Sequence, residues 1–247
     1  MRKVAFLGLL LASSWAAWGA DLTVDSGAHL CTSSLGEINS GFVLAANAII
    51  TNANQRDDVT GEVGPLAPLR GGVGLTLGEA LGMGLKLGAR VAMATWSSST
   101  AGTWTAGETD YPVSLALRSE LLAVEGQLAW EPVPGVLTLG ASGGWGAANF
   151  DYSCTFSVPE NWGLTFQPAS GEATYRVGGP VGAVYARATL PVAAGLGFGA
   201  ELGFRFAPLG VPQAGNTLLD LDEDGEPEPL DFTGLWVGLV VQIAFGM

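Results

Sequence analysis

Acidic residues near the end of the chain have the spacing of a calcium-binding loop. Carboxylates and one glycine occupy positions one, three, five, six, nine and twelve of the twelve-residue pattern, here Asp220, Asp222, Asp224, Gly225, Glu228 and Asp231. Alternate carboxylates can wrap a hard cation, but Pro227 and Pro229 stiffen the second half of this loop. Two interpretations stay open: a Ca²⁺ site with Asp220, Asp222, Asp224, Glu228 and Asp231 as ligands, or a solvated acidic loop.

Basic residues form the second group that could do chemistry. The chain has 10 Lys and Arg, of which eight follow Arg2 and Lys3. In the strand pattern described below, seven of these eight basic side chains point into the interior of a barrel. Three glutamates point into the same interior. These lumen-lining candidates are Arg70, Lys86, Arg90, Arg118, Glu120, Glu125, Arg176, Arg187, Glu201 and Arg205.

Buried charges in a narrow barrel must be paired or hydrated, because an isolated ion in a low dielectric costs several kcal/mol. The ten residues therefore indicate an internal ion-pair network that closes the lumen. Because the cations outnumber the carboxylates, an anion-attracting passage is the alternative. Eight strands leave an interior that side chains nearly fill, which favours the closed lumen.

The elements that carry these residues alternate with a period of two, as β-strands do. Between Leu196 and Phe206 the even positions are apolar and the odd ones are Gly, Glu or Arg. The ranges 69–77, 83–93 and 235–245 also alternate, with the apolar residues mostly at the odd positions. Less regular strands are expected over 38–50 and 137–145. In two further strands, 113–128 and 175–188, the apolar phase shifts by one residue, which predicts a β-bulge in each.

Short and long connections alternate between these strands. The short ones cover 77–82, 131–135 and 190–195, and the long, polar ones cover 51–65, 97–110, 153–170 and 209–230. This rhythm is typical of a transmembrane barrel with short periplasmic turns and long extracellular loops. The predicted fold is all-β, an eight-stranded antiparallel transmembrane β-barrel; ten strands are the alternative if residues 22–33 or a long loop add a hairpin.

Composition agrees with a membrane barrel. Hydrophobic residues make up 48% and charged residues only 13%, and 37 glycines are spread through the strands. A soluble β-sandwich, the alternative, would carry many more charged and hydroxyl residues on its outer face. Aromatic residues fall near strand ends, where interfacial girdles are expected: Trp96, Tyr111, Phe150, Tyr152 and Trp236 beside long loops, and Trp130 and Phe245 beside short turns.

The amino-terminal residues predict export. A basic start, a short apolar run and small residues before position 20 indicate a signal peptide over 1–19. Residues 20–36 would form an amino-terminal segment, and 37–247 the barrel. Cys31 and Cys154 then fall on opposite sides of the membrane, so that residues 20–36 thread through the lumen, the first strand is misplaced, or both thiols are free.

Catalysis and nucleic-acid binding find little support. The single histidine, His29, precedes the first predicted strand and lies far from the long loops, so we predict no enzyme. The formal net charge of −13 argues against nucleic-acid binding.

In signal peptide, alternating strands, short turns and long loops, the chain resembles the small outer-membrane β-barrel proteins of the OmpA, OmpW and OmpX type. The resemblance implies a place in the cell outer membrane, with outer-membrane lipid and the barrel-insertion machinery as partners. It also implies a role in membrane integrity, surface adhesion or passage of small solutes. We predict a structural or surface-interaction barrel with a closed, charge-lined lumen; the alternative is a narrow anion-preferring or small-solute channel.

Overall fold

The computed structural model describes residues 20–27, 35, 38–158, 162, 168, 170–221 and 225–244. The predicted signal peptide lies outside these residues. The strands are β1 (Ala20–Gly27), β2 (Val59–Thr60), β3 (Leu69–Gly82), β4 (Leu85–Ala106), β5 (Thr109–Val133), β6 (Leu137–Phe156), β7 (Gly171–Ala193), β8 (Leu196–Phe206), β9 (Pro208–Gly210), β10 (Gln213–Ala214), β11 (Thr217–Leu218), β12 (Leu230–Asp231) and β13 (Gly234–Ala244). A π-helical turn, Ile38–Phe42, continues into helix α1, Val43–Asn54.

Antiparallel pairing links the eight long strands. β1 pairs with β3 and β13, β13 with β8, and β8 with β7. β7 pairs with β6, β6 with β5, β5 with β4, and β4 with β3. Each of the eight strands therefore has two partners from the same set. Among the described residues, no helix has the length and apolar content needed to cross a membrane.

The predicted strand over 38–50 is wrong, because this segment is the π-helical turn and most of α1. Its apolar side chains recur with helical spacing: Val43, Ala46, Ile49, Ile50 and Ala53 are buried, whereas Leu44 is exposed. The first strand of the sheet is instead β1, within the segment that the sequence placed before the barrel.

The connections at one end of the sheet are short, as predicted, but one of them is displaced. They are residues 83–84, 134–136 and 194–195, whereas 77–82 belongs to β3. Met83 and Gly84 both have positive φ, 51° and 77°, as a two-residue hairpin turn requires. We call this end of the sheet the lower end and the opposite end the upper end.

At the upper end, the predicted long loop over 97–110 is wrong. β4 and β5 continue through it in register, from the Ser97–Arg118 pair to the Ala106–Thr109 pair, and turn at Gly107 and Glu108. Polar residues here do not mark a loop, because the outer face of a strand in water is polar as well. β4 to β7 are therefore far longer than the strands on the other side of the ring of pairings, β13 and β8.

The two predicted phase shifts are also absent. In β5 every odd-numbered residue from Val113 to Ala129 is buried, and in β7 the odd residues from Gly179 to Thr189 are buried, so neither strand contains a bulge at the expected place. We call the buried face inner and the opposite face outer. In β3, β4, β8 and β13 the apolar residues alternate with the inward-pointing charges or, in β13, with glycine and glutamine, and are therefore expected on the outer face. Where burial is described they lie there, with Val73, Leu87, Phe198 and Leu239 exposed.

What shifts in β5 is polarity rather than phase. On the outer face the apolar series Leu128, Val124 and Leu122 gives way to Glu120 and Arg118. On the inner face the buried Gln127 and Glu125 give way to Ala123, Leu121 and Leu117. Nearer the short turns the outer face of β5 is apolar and its inner face is polar, and nearer the upper end the two polarities are reversed. The two changes occur within a few residues of each other along the strand.

The apolar inner face of the upper end is the core of the molecule. Phe42, Ile49 and Ile50 from the helical segment pack in one cluster with Trp96 and Phe150 of the sheet. Leu209, Leu221 and Leu230 from the connection between β8 and β13 join the same cluster. We call this core of buried side chains the apolar plug.

Four of the predicted girdle aromatics belong to the interior instead. Trp96, Phe150, Tyr152 and Trp236 are buried, and Phe245 lies outside the described residues. Trp130 is 49% exposed on the outer face near a short turn, as predicted. An aromatic residue near a strand end can fill an interior as readily as an interface, and sequence position alone does not separate the two.

Candidate functional site

A carboxylate on the inner face accepts hydrogen bonds from three side chains. Glu201 on β8 accepts hydrogen bonds at Oε1 from Arg90 Nη2 at 3.1 Å and from Trp236 Nε1 at 3.0 Å. Its Oε2 accepts from Arg187 Nε at 2.9 Å and from the Nη2 of the same guanidinium. All four side chains are buried. We call these four residues the Glu201 network.

The register of the strands explains how the network assembles. Arg187 and Glu201 are directly opposite each other on the neighbouring strands β7 and β8. Arg90 lies on β4, which is four strands from β8 whichever way the pairings are followed. The Arg90–Glu201 ion pair therefore spans the interior from one wall to the other.

Aromatic rings support the guanidinium groups. The Arg90 carbon Cζ lies 5.3 Å from the centre of the Trp236 ring and 5.7 Å from that of Tyr185. Arg187 lies 5.4 Å from Tyr185, and Arg205 lies 5.6 Å from Trp236. Guanidinium–ring contacts at these distances are attractive and are stronger when they are desolvated.

Glycines make room for both rings. Tyr185 is paired with Gly140 across β6 and β7, and Trp236 is paired with Gly203 across β8 and β13. A Cβ atom on Gly203 would lie 2.3 Å from the Trp236 ring, and one on Gly140 would lie 2.2 Å from the Tyr185 ring. These glycines let the rings lie against the wall, where they flank the arginines.

A second set of polar contacts lies below the Glu201 network. Lys86 Nζ is 2.9 Å from Glu131 Oε1, which also accepts a hydrogen bond from Thr138 at 3.3 Å. Glu125, which is opposite Arg90 on the neighbouring strand, accepts a hydrogen bond from Ser142. A cavity of about 20 Å³, lined in part by Lys86, Glu131 and Thr138, is large enough for one water molecule.

Seven of the ten lumen-lining candidates lie on the inner phase. Arg90, Glu125, Arg187, Glu201 and Arg205 are buried there; Arg70 and Lys86 share the phase and are partly exposed. Arg118, Glu120 and Arg176 were assigned wrongly, because β5 and β7 keep their phase and turn these side chains outward. Arg118 and Glu120 form an ion pair with each other on the outer face, with 62% and 35% of their side chains exposed.

Sequence reasoning missed the uncharged members of the site and one glutamate, Glu131. Tyr185 and Trp236 are inner-phase aromatics opposite a glycine, a pairing that the strand alignment alone could have indicated. Glu131, Thr138 and Ser142 follow the same inner phase, but only the three-dimensional arrangement shows which partner each one meets.

Above the Glu201 network lies the apolar plug, and asparagines fasten its helix. Asn47 exchanges two hydrogen bonds with the backbone of Leu66, at 2.7 and 3.0 Å. Asn54 does the same with Val63, at 2.9 and 3.2 Å, and also accepts a hydrogen bond from Trp104 Nε1 at 2.8 Å. The segment between α1 and β3 is thereby tied to the helix at two points.

The acidic loop is only partly described. Asp222 and Asp224 lie outside the described residues. Asp220 accepts a hydrogen bond from the backbone of Gly225 at 3.0 Å, and Asp231 accepts one from Thr233 at 2.8 Å. Both oxygens of Glu228 accept from the backbone N–H of Leu221, at 3.0 and 3.1 Å. Within the described parts of the chain, no three His, Cys, Asp or Glu side chains form a group suited to a metal ion.

The thiol of Cys154 is free and buried, and burial is the main factor that raises its pKa. Cys31 and His29 lie outside the described residues. The argument that the two cysteines occupy opposite sides of the membrane depended on a strand over 38–50 and falls with that strand.

The chain has a distant likeness to a solved structure. No family model and no curated protein matches the chain. A solved structure of Ail, the attachment invasion locus protein of Yersinia pestis, in complex with the heparin analogue sucrose octasulfate, is similar at a TM-score of 0.42 and 6% identity. The match covers 92% of this chain and 97% of that one. At this level the likeness carries no conclusion on function.

Proposed function

We propose that this protein is an outer-membrane barrel of eight antiparallel strands with a closed lumen, and that its role is structural or one of surface interaction. The observation that carries the proposal is the reversal of polarity along β5. A wall that is apolar outside and polar inside, and then polar outside and apolar inside, fits a barrel that leaves lipid and enters water. Outer-membrane lipid and the barrel-insertion machinery would be its partners.

The apolar outer band has the length that a bilayer requires. Outer residues from Leu85 to Met93 on β4 and from Leu122 to Trp130 on β5 are all apolar or glycine. The two stretches pair side by side over their full length. A tilted strand needs about 9–11 residues to cross the hydrocarbon, and each stretch has about that length.

Two layers support a closed lumen. The Arg90–Glu201 ion pair crosses the interior, and the apolar plug lies above it. An ion moving through this interior would have to separate a buried ion pair and then enter an apolar core without water, and each step costs several kcal/mol.

The upper outer face supports a surface role. On β5 to β7 it carries polar residues in adjacent register, with Glu120, Asn149 and Arg176 in one row and Arg118, Asp151 and Thr174 in the next. A shallow depression of about 560 Å³ lies along the second row and is also lined by Ser153 and Glu172. This mixed-charge surface would stand clear of the lipid and is where we place contact with a surface partner.

Planar-bilayer recording tests the closed lumen. The purified, refolded protein should insert without producing stable single-channel openings, because the Glu201 network and the apolar plug block the path. Stable openings with anion selectivity that weakens in Arg90→Ala or Arg205→Ala would instead establish the channel alternative. An unrelated porin in the same bilayers controls for detection.

Calcium binding by the acidic loop remains a separate proposal. It is supported by the carboxylate spacing, and binding would relieve repulsion within the loop. Millimolar calcium should then slow proteolysis of the loop, and Asp222→Asn with Asp224→Asn should abolish that protection, because the double change removes two charges at constant size. Protection that survives the double change would place the cation elsewhere.

A further inference from the structure

The lower end of the interior contains a chamber that the closed lumen does not explain. A cavity of about 300 Å³ lies among the short turns, lined by Gly135, Ala194 and Gly195 together with Lys86 and Gln242. The cavity of about 20 Å³ below the Glu201 network is also lined by Lys86 and Gln242. The two cavities therefore adjoin and lead from the short turns toward the network.

Buried polar atoms face this chamber without partners. Thr76 Oγ1, Gln127 Oε1 and Thr189 Oγ1 have no hydrogen-bond partner among the described residues, and the three residues are 3%, 7% and 3% exposed. Thr76 and Gln127 line the smaller cavity, and Thr189 lines the larger one. A buried polar atom without a partner is unfavourable, so a bound molecule with hydroxyl groups would be stabilised here.

The charges of the chamber argue for an uncharged occupant. Lys86, the charged residue among the described lining of the larger cavity, is already paired with Glu131. An added ion would disturb a balanced pair, whereas a hydroxyl can donate to Gln127 Oε1 and exchange hydrogen bonds with both threonines.

We propose that the lower lumen is a one-ended pocket, entered from the short turns, that binds a small uncharged hydroxylated molecule of up to about the size of glycerol. The larger cavity has room for such a molecule beside Thr189 Oγ1, and one hydroxyl that extended into the smaller cavity would meet Thr76 Oγ1 and Gln127 Oε1. The proposal deepens the proposed function, on which it depends only for the side of the membrane that the pocket faces.

Thiol labelling of the folded full-length protein in detergent tests the pocket. Thr189→Cys and, as a second variant, Gln242→Cys are made with Cys31→Ser and Cys154→Ala, and folding is checked by heat-modifiable migration. The neutral reagent methyl methanethiosulfonate should modify both cysteines. Glycerol at molar concentration should slow the reaction at least threefold, and potassium chloride should not.

Two control positions separate access from general effects. Ala116→Cys, exposed on the upper outer face, reports the effect of glycerol on the reagent itself. Ala148→Cys, buried above the Glu201 network, should remain unmodified because the pocket ends below it. Channel openings in bilayers would overturn the closed lumen without affecting these labelling rates.

Three outcomes would overturn the pocket. If neither Thr189→Cys nor Gln242→Cys reacts, the chamber is not open to the short turns. If glycerol slows them no more than it slows Ala116→Cys, the chamber holds water only. If Ala148→Cys reacts at a similar rate, the pocket is not one-ended.

Discussion

Replacing Glu201 by Gln should lower the free energy of unfolding by about 3–5 kcal/mol, the usual cost of removing one partner from a buried ion pair. Arg90 and Arg187 would both lose their carboxylate, and each is buried with at most 5% of its side chain exposed. Denaturant titration of the protein in lipid vesicles, followed by tryptophan fluorescence, measures the change.

Glu120→Gln is the matched control, because it also removes the charge of a glutamate that is paired with an arginine. That pair is exposed on the outer face, so its loss should cost at most about 1 kcal/mol. Equal effects of the two substitutions would mean that Glu201 is not the centre of a buried network.

An arginine introduced on the outer face should destabilise the protein strongly below the polarity boundary of β5 and hardly at all above it. Val124→Arg places a charge in the apolar band and should destabilise the inserted barrel by about 2–4 kcal/mol. Ala116→Arg, on the same strand and the same face, should change stability by no more than about 0.5 kcal/mol, because its side chain stands in water.

Both positions are exposed in the structure, Val124 at 58%, so steric conflict does not separate them. The quantity to compare is the change in the free energy of unfolding that each variant shows in lipid vesicles. Similar, small losses for both would indicate that Val124 faces water and that the apolar band does not contact lipid.

Strands that stay within one environment were predictable from the sequence. Along β8, Phe198, Leu202 and Phe204 alternate with Glu201, Gly203 and Arg205, and the structure keeps that phase to the end of the strand. Here the outer face is apolar throughout, so hydrophobicity reports orientation directly.

The reversal along β5 defeats the same reasoning. Leu115 and Leu117 are as apolar as Leu122 and Leu128, but the first two pack in the upper core and the last two lie on the outer face. If every apolar residue of β5 is taken to face outward, the strand must shift its phase by one residue. The backbone does not make that shift. Arg118, Glu120 and Arg176 were assigned to the interior for this reason.

The segment 38–50 shows a second limit of the sequence. It is apolar enough for a strand. Its apolar residues also recur with helical spacing, and a helix forms because one side of it can then pack against the upper core. Partners within the site are a third limit: the Arg187–Glu201 pair follows from strand register, but the Arg90–Glu201 pair crosses the interior between residues 111 apart in sequence.

A nitroxide scan of β5 from 113 to 130 shows whether the strand keeps one phase while its surroundings change from water to lipid, with Cys31→Ser and Cys154→Ala to remove native thiols. Collision with a water-soluble nickel chelate should be high at even positions up to 120. Collision with oxygen dissolved in lipid should be high at even positions from 122 onward, and odd positions should resist both. High oxygen collision at 113, 115 and 117 would contradict the account, because these side chains would then face lipid across a shifted strand.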